Sequence, residues 1–294
     1  MWLHTPHLER RYALTKSTTK PKKPNVRFSR VPGKLYRKIK KHLPAKKPPG
    51  RGRPRADNHA VLNGIWYVLW TGCQWKSIER AWFGVSSSVI HERFQTWGRQ
   101  GIFERMLTAM LRYYGRVRHI RWEWQSVDSR SSPAPLGGKD TGKNPTDRAK
   151  LGGKIHILVD QRGAPLSIHV TGANQNDKWF VTVLVCSILA KRPTSTQHFC
   201  ADKAYDSWDV HLFVKEQGYI PHIKHRRRRN EPKDPCPIPG EMQYPARRWV
   251  VERTLGWLVR RRSIRTRWCK KPENWLSFIQ FACAHIVFDL AFFG

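Results

Sequence analysis

The sequence predicts a mixed α/β fold, preceded by an all-α helix-turn-helix segment and a basic N-terminal arm. Three observations predict it. From Asp57 to about Tyr114 apolar residues recur at helical spacing. From Arg121 onward, strand-like and helix-like segments alternate. The first 55 residues hold 18 Lys and Arg against one acid, Glu9.

The arm, residues 1–55, is interrupted by Pro21, Pro24, Pro32, Pro44, Pro48, Pro49 and Pro54. Such a stretch buries too little apolar surface to offset its ordering entropy, so it reads as flexible, with a short helix near Lys34–His42. Arg51, Arg53 and Arg55 end it in the run R-G-R-P-R, a pattern suited to a minor groove or to phosphates. A solvated charge run is the alternative.

Residues 56–116 follow as a helical unit. Val61, Leu62, Ile65, Trp66, Val68 and Leu69 predict one helix, broken at Thr71-Gly72. A short segment at Trp75–Trp82, then Gly84, then Ser86–Ser88 as N-cap, predict a helical pattern that continues through Val89, Ile90, Phe94, Trp97, Ile102, Phe103 and Met106 to about Tyr114. His91, Glu92, Arg93 and Gln95 fall on or near its outer face. Three-helix packing without DNA gives the same pattern.

The remainder, 117–294, reads as the sheet-bearing domain. Strands are predicted at Arg121–Ser129, Lys154–Asp160 and Pro165–Thr171, the last two as a hairpin about Gln161-Arg162-Gly163. Residues 130–150 read as a loop. Asp177 is expected to cap a helix from Lys178 to about Ala190. A strand at Gln197–Asp202, a helix at Ser207–Gln217 and a strand at Tyr219–Lys224 come next. A basic, Pro-rich insertion spans about 225–245 and includes Arg226, Arg227, Arg228 and Arg229. Helices at Ala246–Arg262 and Asn274–Phe292 close the chain.

Composition narrows the function. With 55 Lys+Arg against 21 Asp+Glu over 294 residues, the net charge is +34. Such a chain calls for a polyanion, nucleic acid first and an anionic membrane second. The 14 Trp, 12 Phe and 8 Tyr exclude disorder throughout. The six Cys (73, 186, 200, 236, 269 and 283) include no C-x-x-C pair, which excludes the usual structural zinc patterns. No secretory leader is visible, so the cysteines read as reduced and intracellular. Trp275–Gly294 is apolar but carries Gln280, His285 and Asp289, and reads as a buried terminal helix rather than a membrane span.

In so basic a chain the acids are informative. Asp128 ends the first predicted core strand, Asp202 ends the strand H-F-C-A-D, and Glu252 lies within the helix R-R-W-V-V-E-R-T-L-G-W-L. Carboxylates at strand ends project from the sheet edge, where open α/β sheets keep their clefts. Three convergent carboxylates repel unless a cation lies between them, and hard divalent ions prefer oxygen ligands. Two such ions suit in-line phosphoryl displacement. Each acid has a structural alternative. Asp128 could be a turn residue, Asp202 an ion pair with Lys203, and Glu252 an i,i+4 partner of Arg248. Asp160 and Asp177 read as hairpin and cap residues.

From Arg53 to Leu290 the chain resembles the DDE-class transposases of bacterial insertion sequences, in the group numbered five. The segments that carry the resemblance are G-R-P-R-A-D-N-H-A-V-L-N-G-I-W-Y-V-L-W-T-G-C-Q-W, S-V-D-S-R, G-K-N-P-T-D-R-A-K-L-G-G-K-I-H-I-L-V-D, A-N-Q-N-D, A-D-K-A-Y-D-S and R-R-W-V-V-E-R-T-L-G-W-L. The resemblance implies an RNase H-like catalytic domain and a carboxylate triad that maps onto Asp128, Asp202 and Glu252. Arg248 fits the family's arginine before the third acid. The tyrosine position, 245, is Pro, and Tyr244 is one residue off; the basic position, 259, is Val, and Arg260 is next. Lys203-Ala204-Tyr205 stands where the family has a basic residue, Gly and Tyr.

The activity this implies is DNA transposition. The chain would bind terminal inverted repeats, cleave a strand with two Mg2+ ions (Mn2+ as a substitute), and transfer the 3′-hydroxyl into double-stranded target DNA. Residues 57–114 and the arm would recognise ends. Lys224 and Arg226–Arg229, with Arg260, Arg261 and Arg262, would hold strands near the acids. At least a dimer, working at the nucleoid in a bacterial cytoplasm, is expected. The rivals are a metal-dependent nuclease on the same fold and an inactive DNA-binding relic.

Overall fold

The computed structural model describes residues 30–45, 54–226 and 247–294. Helix α1 (Gly33–Ile39) buries Leu35 and Ile39, and a one-turn 3-10 helix extends it to His42. Val31 donates its amide to Asn63 Oδ1 at 3.0 Å, and Asn58 Nδ2 donates to Pro44 O at 2.7 Å. Residues 31–44 are therefore docked, around the short helix expected near Lys34–His42; most of the rest of the arm lies outside the described residues. Four apolar side chains at 31, 35, 39 and 43 are enough to seat this part of it.

Helix α2 (Asn58–Thr71) begins where Asp57 accepts the Ala60 amide at 3.0 Å and ends at Gly72 in the left-handed conformation. A 3-10 turn at Trp75–Ser77 leads to α3 (Arg80–Phe83), closed by left-handed Gly84. Helix α4 (Ser87–Arg99) buries Ile90, Phe94 and Trp97, and α5 (Ile102–Arg118) buries a stripe from Phe103 to Tyr114. The helix, short helix, glycine turn and helix stand in the predicted order, but Ser86 makes no side-chain cap bond, and left-handed Gly101 divides the predicted run to about Tyr114 into α4 and α5.

The sheet has six strands. β1 (Trp124–Pro133) is central. It pairs antiparallel with β3 (Leu151–Asp160) along nine residue pairs, Gln125–Asp160 to Pro133–Gly152. β3 pairs antiparallel with β4 (Pro165–Gly172) and, at its start, with the two-residue β2 (Gly142–Lys143). On its other side β1 runs parallel to β5 (Gln197–Ala201), which runs parallel to β6 (Tyr219–Ile223). A buried polar staple ties β1, β5 and β6: Gln125 Nε2 donates to Gln197 Oε1 at 2.5 Å and Tyr219 donates to Gln125 Oε1 at 2.9 Å.

Residues 130–150 are thus not a plain loop. Antiparallel pairing carries β1 on to Pro133, and β2 lies inside the stretch. Asp128 accordingly sits within β1, not at its end. What ends nearby is the parallel pairing with β5, after Ser126–Cys200. Two further boundaries move. Asn176, not Asp177, caps the next turn by accepting the Lys178 amide, and α6 is only Val181–Cys186. The long helix before 262 is α8 (Trp249–Val259) followed by the one-turn α9 (Arg262–Arg265). Helix α7 (Trp208–Glu216) covers one sheet face with α6.

Helix α10 (Pro272–Phe293) has the length and hydropathy of a membrane span, yet it is the central core helix, with Trp275, Phe278, Ile279, Phe281 and Val287 buried. One hydrophobic cluster joins α1, α2, α4, α5, α8 and α10 to β3 and β4. The helical segment and the sheet therefore share a core.

The β3–β4 turn positions α8. Thr254 donates to Gly163 O at 2.9 Å and Arg253 Nη2 to Arg162 O at 2.7 Å. Gly163 has φ +87°, and a Cβ there would lie 2.6 Å from Thr254 Oγ1. Gly163→Ala should lower stability by roughly 1–3 kcal/mol through strain and overpacking. A urea midpoint equal to that of the parent would contradict this.

Candidate active site

The first two acids come from neighbouring parallel strands. Ser126 pairs with Cys200; Asp128 lies two residues further along β1, and Asp202 two residues further along the chain, just past the end of β5. Both aspartates are pinned by the amide that follows. Ser129 N donates to Asp128 Oδ1 at 2.7 Å, and Lys203 N donates to Asp202 Oδ1 at 2.6 Å. Each keeps its Oδ2 out of that bond. Glu252 arrives from the first turn of α8, whose start is tied to β1 by Ser126 Oγ donating to Arg247 O at 3.2 Å.

Arg248 links two of the three acids. Its Nη1 lies 3.3 Å from Asp202 Oδ1 and its Nη2 3.5 Å from Glu252 Oε1. The i,i+4 pair read from the sequence exists, but the same guanidinium also serves Asp202. Asp128 feels both other acids. Burial pushes its carboxyl up to about 6, reinforced by the charges of Glu252 and Asp202 and opposed by the Ser129 amide and Arg248. The site is thus short of positive charge even with Arg248 in place.

The donor set fits hard divalent ions in chemistry, being all carboxylate oxygen. Among the described residues, however, no three of His, Cys, Asp and Glu gather closely enough to enclose a metal ion. Asp202 and Glu252 meet at Arg248, with Asp128 close enough to feel their charges.

A second network lies beside the first, on the other face of β1. Asp177 Oδ1 accepts from Ser129 Oγ at 2.7 Å and is 2.9 Å from Lys154 Nζ, which also donates to Gln175 O at 2.7 Å. Buried His156 stands 3.7 Å from the same oxygen, its pKa lowered to about 4, chiefly by burial. Tyr205, buried at the end of the turn after Asp202, has its hydroxyl pKa raised by burial and by the charges of Asp177 and Asp128. The sequence reading treated Asp177 as a cap. The available signal was Lys154 and His156 two apart on one strand, which puts both on one face. Asp160 is the hairpin residue expected. Tyr114 OH and the amides of Arg121, Arg162 and Ala164 all donate to it.

The predicted strand-binding residues divide. Ile223 pairs with Ala201, so Lys224 leaves the sheet beside Asp202. Arg226 is exposed, with its amide held by Asp206 Oδ2 at 2.8 Å. Arg55, Arg260 and Arg262 are exposed. Arg51, Arg53 and Arg227–Arg229 lie outside the described residues. Arg261 must be corrected: it is 3% exposed, donates to Trp257 O at 2.7 Å, meets His285 Nδ1 at 2.7 Å and packs on Trp70. A core arginine held this way cannot reach a strand.

On α4 the outward stripe is Ser88, Glu92, Gln95 and Arg99. His91 instead stacks on Trp75 at 4.8 Å and contacts Gln95 Nε2 at 2.9 Å. Arg93 is turned inward to Asn58 Oδ1 (2.8 Å) and Ala56 O. Arg99 and Lys76, which the sequence reading did not single out, join Gln95 around a cleft of about 310 Å³.

Residues 125–287 match the family described as "Transposase DDE domain". The chain belongs to the DDE transposase family. Residues 31–107 match a second family, described as "Putative transposase of IS4/5 family". A protein of Burkholderia cepacia described as "Putative transposase for insertion sequence element IS402" is 34% identical over 169 residues, covering 55% of this chain and 74% of the relative. A 16.2 kDa uncharacterized protein of the same insertion element is 30% identical over 119 residues, covering 39% of this chain and 80% of its own. Among solved structures, a piggyBac transposase synaptic complex with hairpin DNA is 12% identical with a TM-score of 0.35, over 68% of this chain and 48% of that one. A Mos1 strand transfer complex is 12% identical with a TM-score of 0.25, over 83% and 81%. In this transposase the sheet order β4-β3-β1-β5-β6, with β3 alone antiparallel along that path, is the RNase H-like arrangement.

Proposed function

We propose that the chain binds the terminal inverted repeats of its element, cuts a DNA strand there and transfers the freed 3′-hydroxyl into target DNA. What supports this reading is that Arg248 bridges Asp202 and Glu252 while largely buried Asp128 feels the charge of all three, in a protein of net charge +34. When bound, two Mg2+ ions, or Mn2+ in their place, supply activation of the attacking oxygen and stabilisation of the leaving one. The chain's own residues prepare for this. The Ser129 and Lys203 amides fix the two aspartates in one rotamer each. Arg248 balances the surplus negative charge and is partly exposed, within reach of a phosphate. Lys224, Arg226, Arg260 and Arg262, with Arg51, Arg53, Arg55 and Arg227–Arg229, neutralise the DNA backbone. Gln95 and the outer stripe of α4 face a groove. Joining two ends requires at least a dimer, acting on chromosomal DNA in the bacterial cytoplasm.

The test is a strand-transfer assay on pre-cleaved element ends. Joined product should form with Mg2+ and vanish with a chelator, and end binding should fall steeply with salt. Cleavage without joining would make the protein a nuclease. Binding with neither step would make it a relic.

A further inference from the structure

We propose that the β2–β3 hairpin is a second contact for the DNA backbone, across the catalytic acids from Lys224. The proposal rests on the DNA-processing reading above and adds a binding surface to it. In the sheet order β2-β3-β1-β5-β6, the strands leading to Asp128 and Asp202 are the third and fourth. The hairpin flanks them on one side, and β6, which leads to Lys224, on the other. β3 is antiparallel to β1, so its start lies at the edge toward which β1 runs beyond Asp128. That run, to Pro133, is roughly 17 Å at about 3.3 Å per residue. Exposed positive charge follows it. Arg130 is two residues from Asp128, on the same face of β1. Lys139 is tied to the exposed Lys270, its amide donating to Lys270 O at 3.0 Å. Lys143, Arg148 and Lys150 belong to the hairpin, and all are exposed. Asp140 and Asp147 are the acids of this stretch. Asp147 is 3.8 Å from Lys150, but water screens the pair.

What packing does not explain is the shape of the tip. Arg148 and Ala149 are consecutive non-glycine residues in the left-handed region, with φ +48° and +56°. Both are exposed, so burial does not hold them there. Asn144 does. Its Oδ1 accepts from Thr146 N at 3.2 Å and from Thr146 Oγ at 2.9 Å. Its carbonyl accepts from Ala149 N at 3.1 Å, and its amide donates to Lys150 O at 2.8 Å. The root is equally firm, since Arg267 donates to Lys139 O and Asp140 O. Backbone strain held this firmly is found where a ligand is clamped. Here the side chains on display are three long cations. A rigid cationic tip loses less freedom on binding than a loose loop does. Its ligand is the phosphate backbone of a duplex passing the acids, whether element end, flanking DNA or target.

The test uses the full chain and three duplexes: a pre-cleaved element end, the same end with flanking DNA, and a duplex of unrelated sequence. Affinity is measured against salt for the parent and for the triple variant Lys143→Gln, Arg148→Gln, Lys150→Gln. At least one duplex should bind the variant about tenfold more weakly, with a log–log salt slope shallower by about 2–3, since each lost phosphate contact removes about 0.9. Loss on the pre-cleaved end assigns the hairpin to the element's own terminus. Loss only when the flank is present assigns it to flanking DNA, and loss only on the unrelated duplex to target. Loss on all three marks a contact made to any backbone. Lys143→Arg with Lys150→Arg should bind as the parent does, and all three proteins should melt together. Unchanged affinity and slope on every duplex overturn the proposal. So does a loss shared by the arginine control, or one accompanied by a lower melting temperature, which would make the tip structural. If the parent binds the three duplexes alike and neither cuts nor joins them, while the glutamine variant still loses affinity, the hairpin contact stands and the transposase reading falls.

Discussion

Asp128→Asn should lower Mg2+-dependent strand cleavage by about 10³-fold or more, with end binding unchanged. A carboxylate that holds a catalytic metal contributes several kcal/mol to the transition state, and each 1.36 kcal/mol is tenfold in rate. Asn keeps the shape and can still accept the Ser129 amide, so the fold has no reason to shift. Stability should move the other way. The folded pKa of Asp128 is raised to about 6 by burial and like charge. Its favourable contribution is full below the ordinary carboxylate value of about 4 and is lost as pH rises through about 6. At pH 8 the metal-free Asp128→Asn protein should therefore melt higher than the parent, and the gap should narrow as pH falls toward 4. Cleavage that persists in Asp128→Asn would remove Asp128 from the site. A lower melting temperature at pH 8 would remove the electrostatic account of it.

Arg267→Ala should cost roughly 3–5 kcal/mol of stability, a large share of the ~5–15 kcal/mol that holds a domain together. Arg267 is fully buried. Its Nη1 donates to Asp140 O at 2.7 Å, its Nη2 to Lys139 O and its Nε to Cys269 O at 3.1 Å. The guanidinium packs on Trp275 of α10, 5.2 Å from the ring centroid. One side chain thus closes the loop after β1 onto the start of α10. Truncation removes the donor shared by these three carbonyls and leaves a void beside Trp275. Lys in its place lacks the planar fork and should recover little. A denaturant midpoint for Arg267→Ala within error of the parent would refute this role. No signal in R-T-R-W-C-K-K distinguishes Arg267 from Arg265, which is exposed.

That contrast marks how far the sequence is legible. Period and capping residues are local, so α2, α4, α5 and α10, and the strands around Asp128 and Asp202, follow from the chain itself. Asp57 before Ala60 and Gly72 at the αL position are enough to bound α2. The boundaries that failed were those decided by distant partners. β1 runs to Pro133 because β3 pairs with it that far, and residues 31–44 are ordered because the core offers them a place. Asp177 was read as a cap because the cue for a cap is local, whereas Lys154, which pairs with it, lies on another strand.

By itself the sequence determined the order of helices and strands, the excess of positive charge, and the three acids most able to carry chemistry. These are properties of spacing and residue type. Only the tertiary structure decided that β1 and β5 are adjacent and parallel just before Asp128 and Asp202, that Arg248 stands between two of the acids, and that Arg261 is spent in the core while Arg260 and Arg262 reach solvent. The reason is physical. Charge and periodicity belong to the residue and its near neighbours, but burial, register and pairing are set by segments up to a hundred or more positions away, which meet only when the hydrophobic core closes.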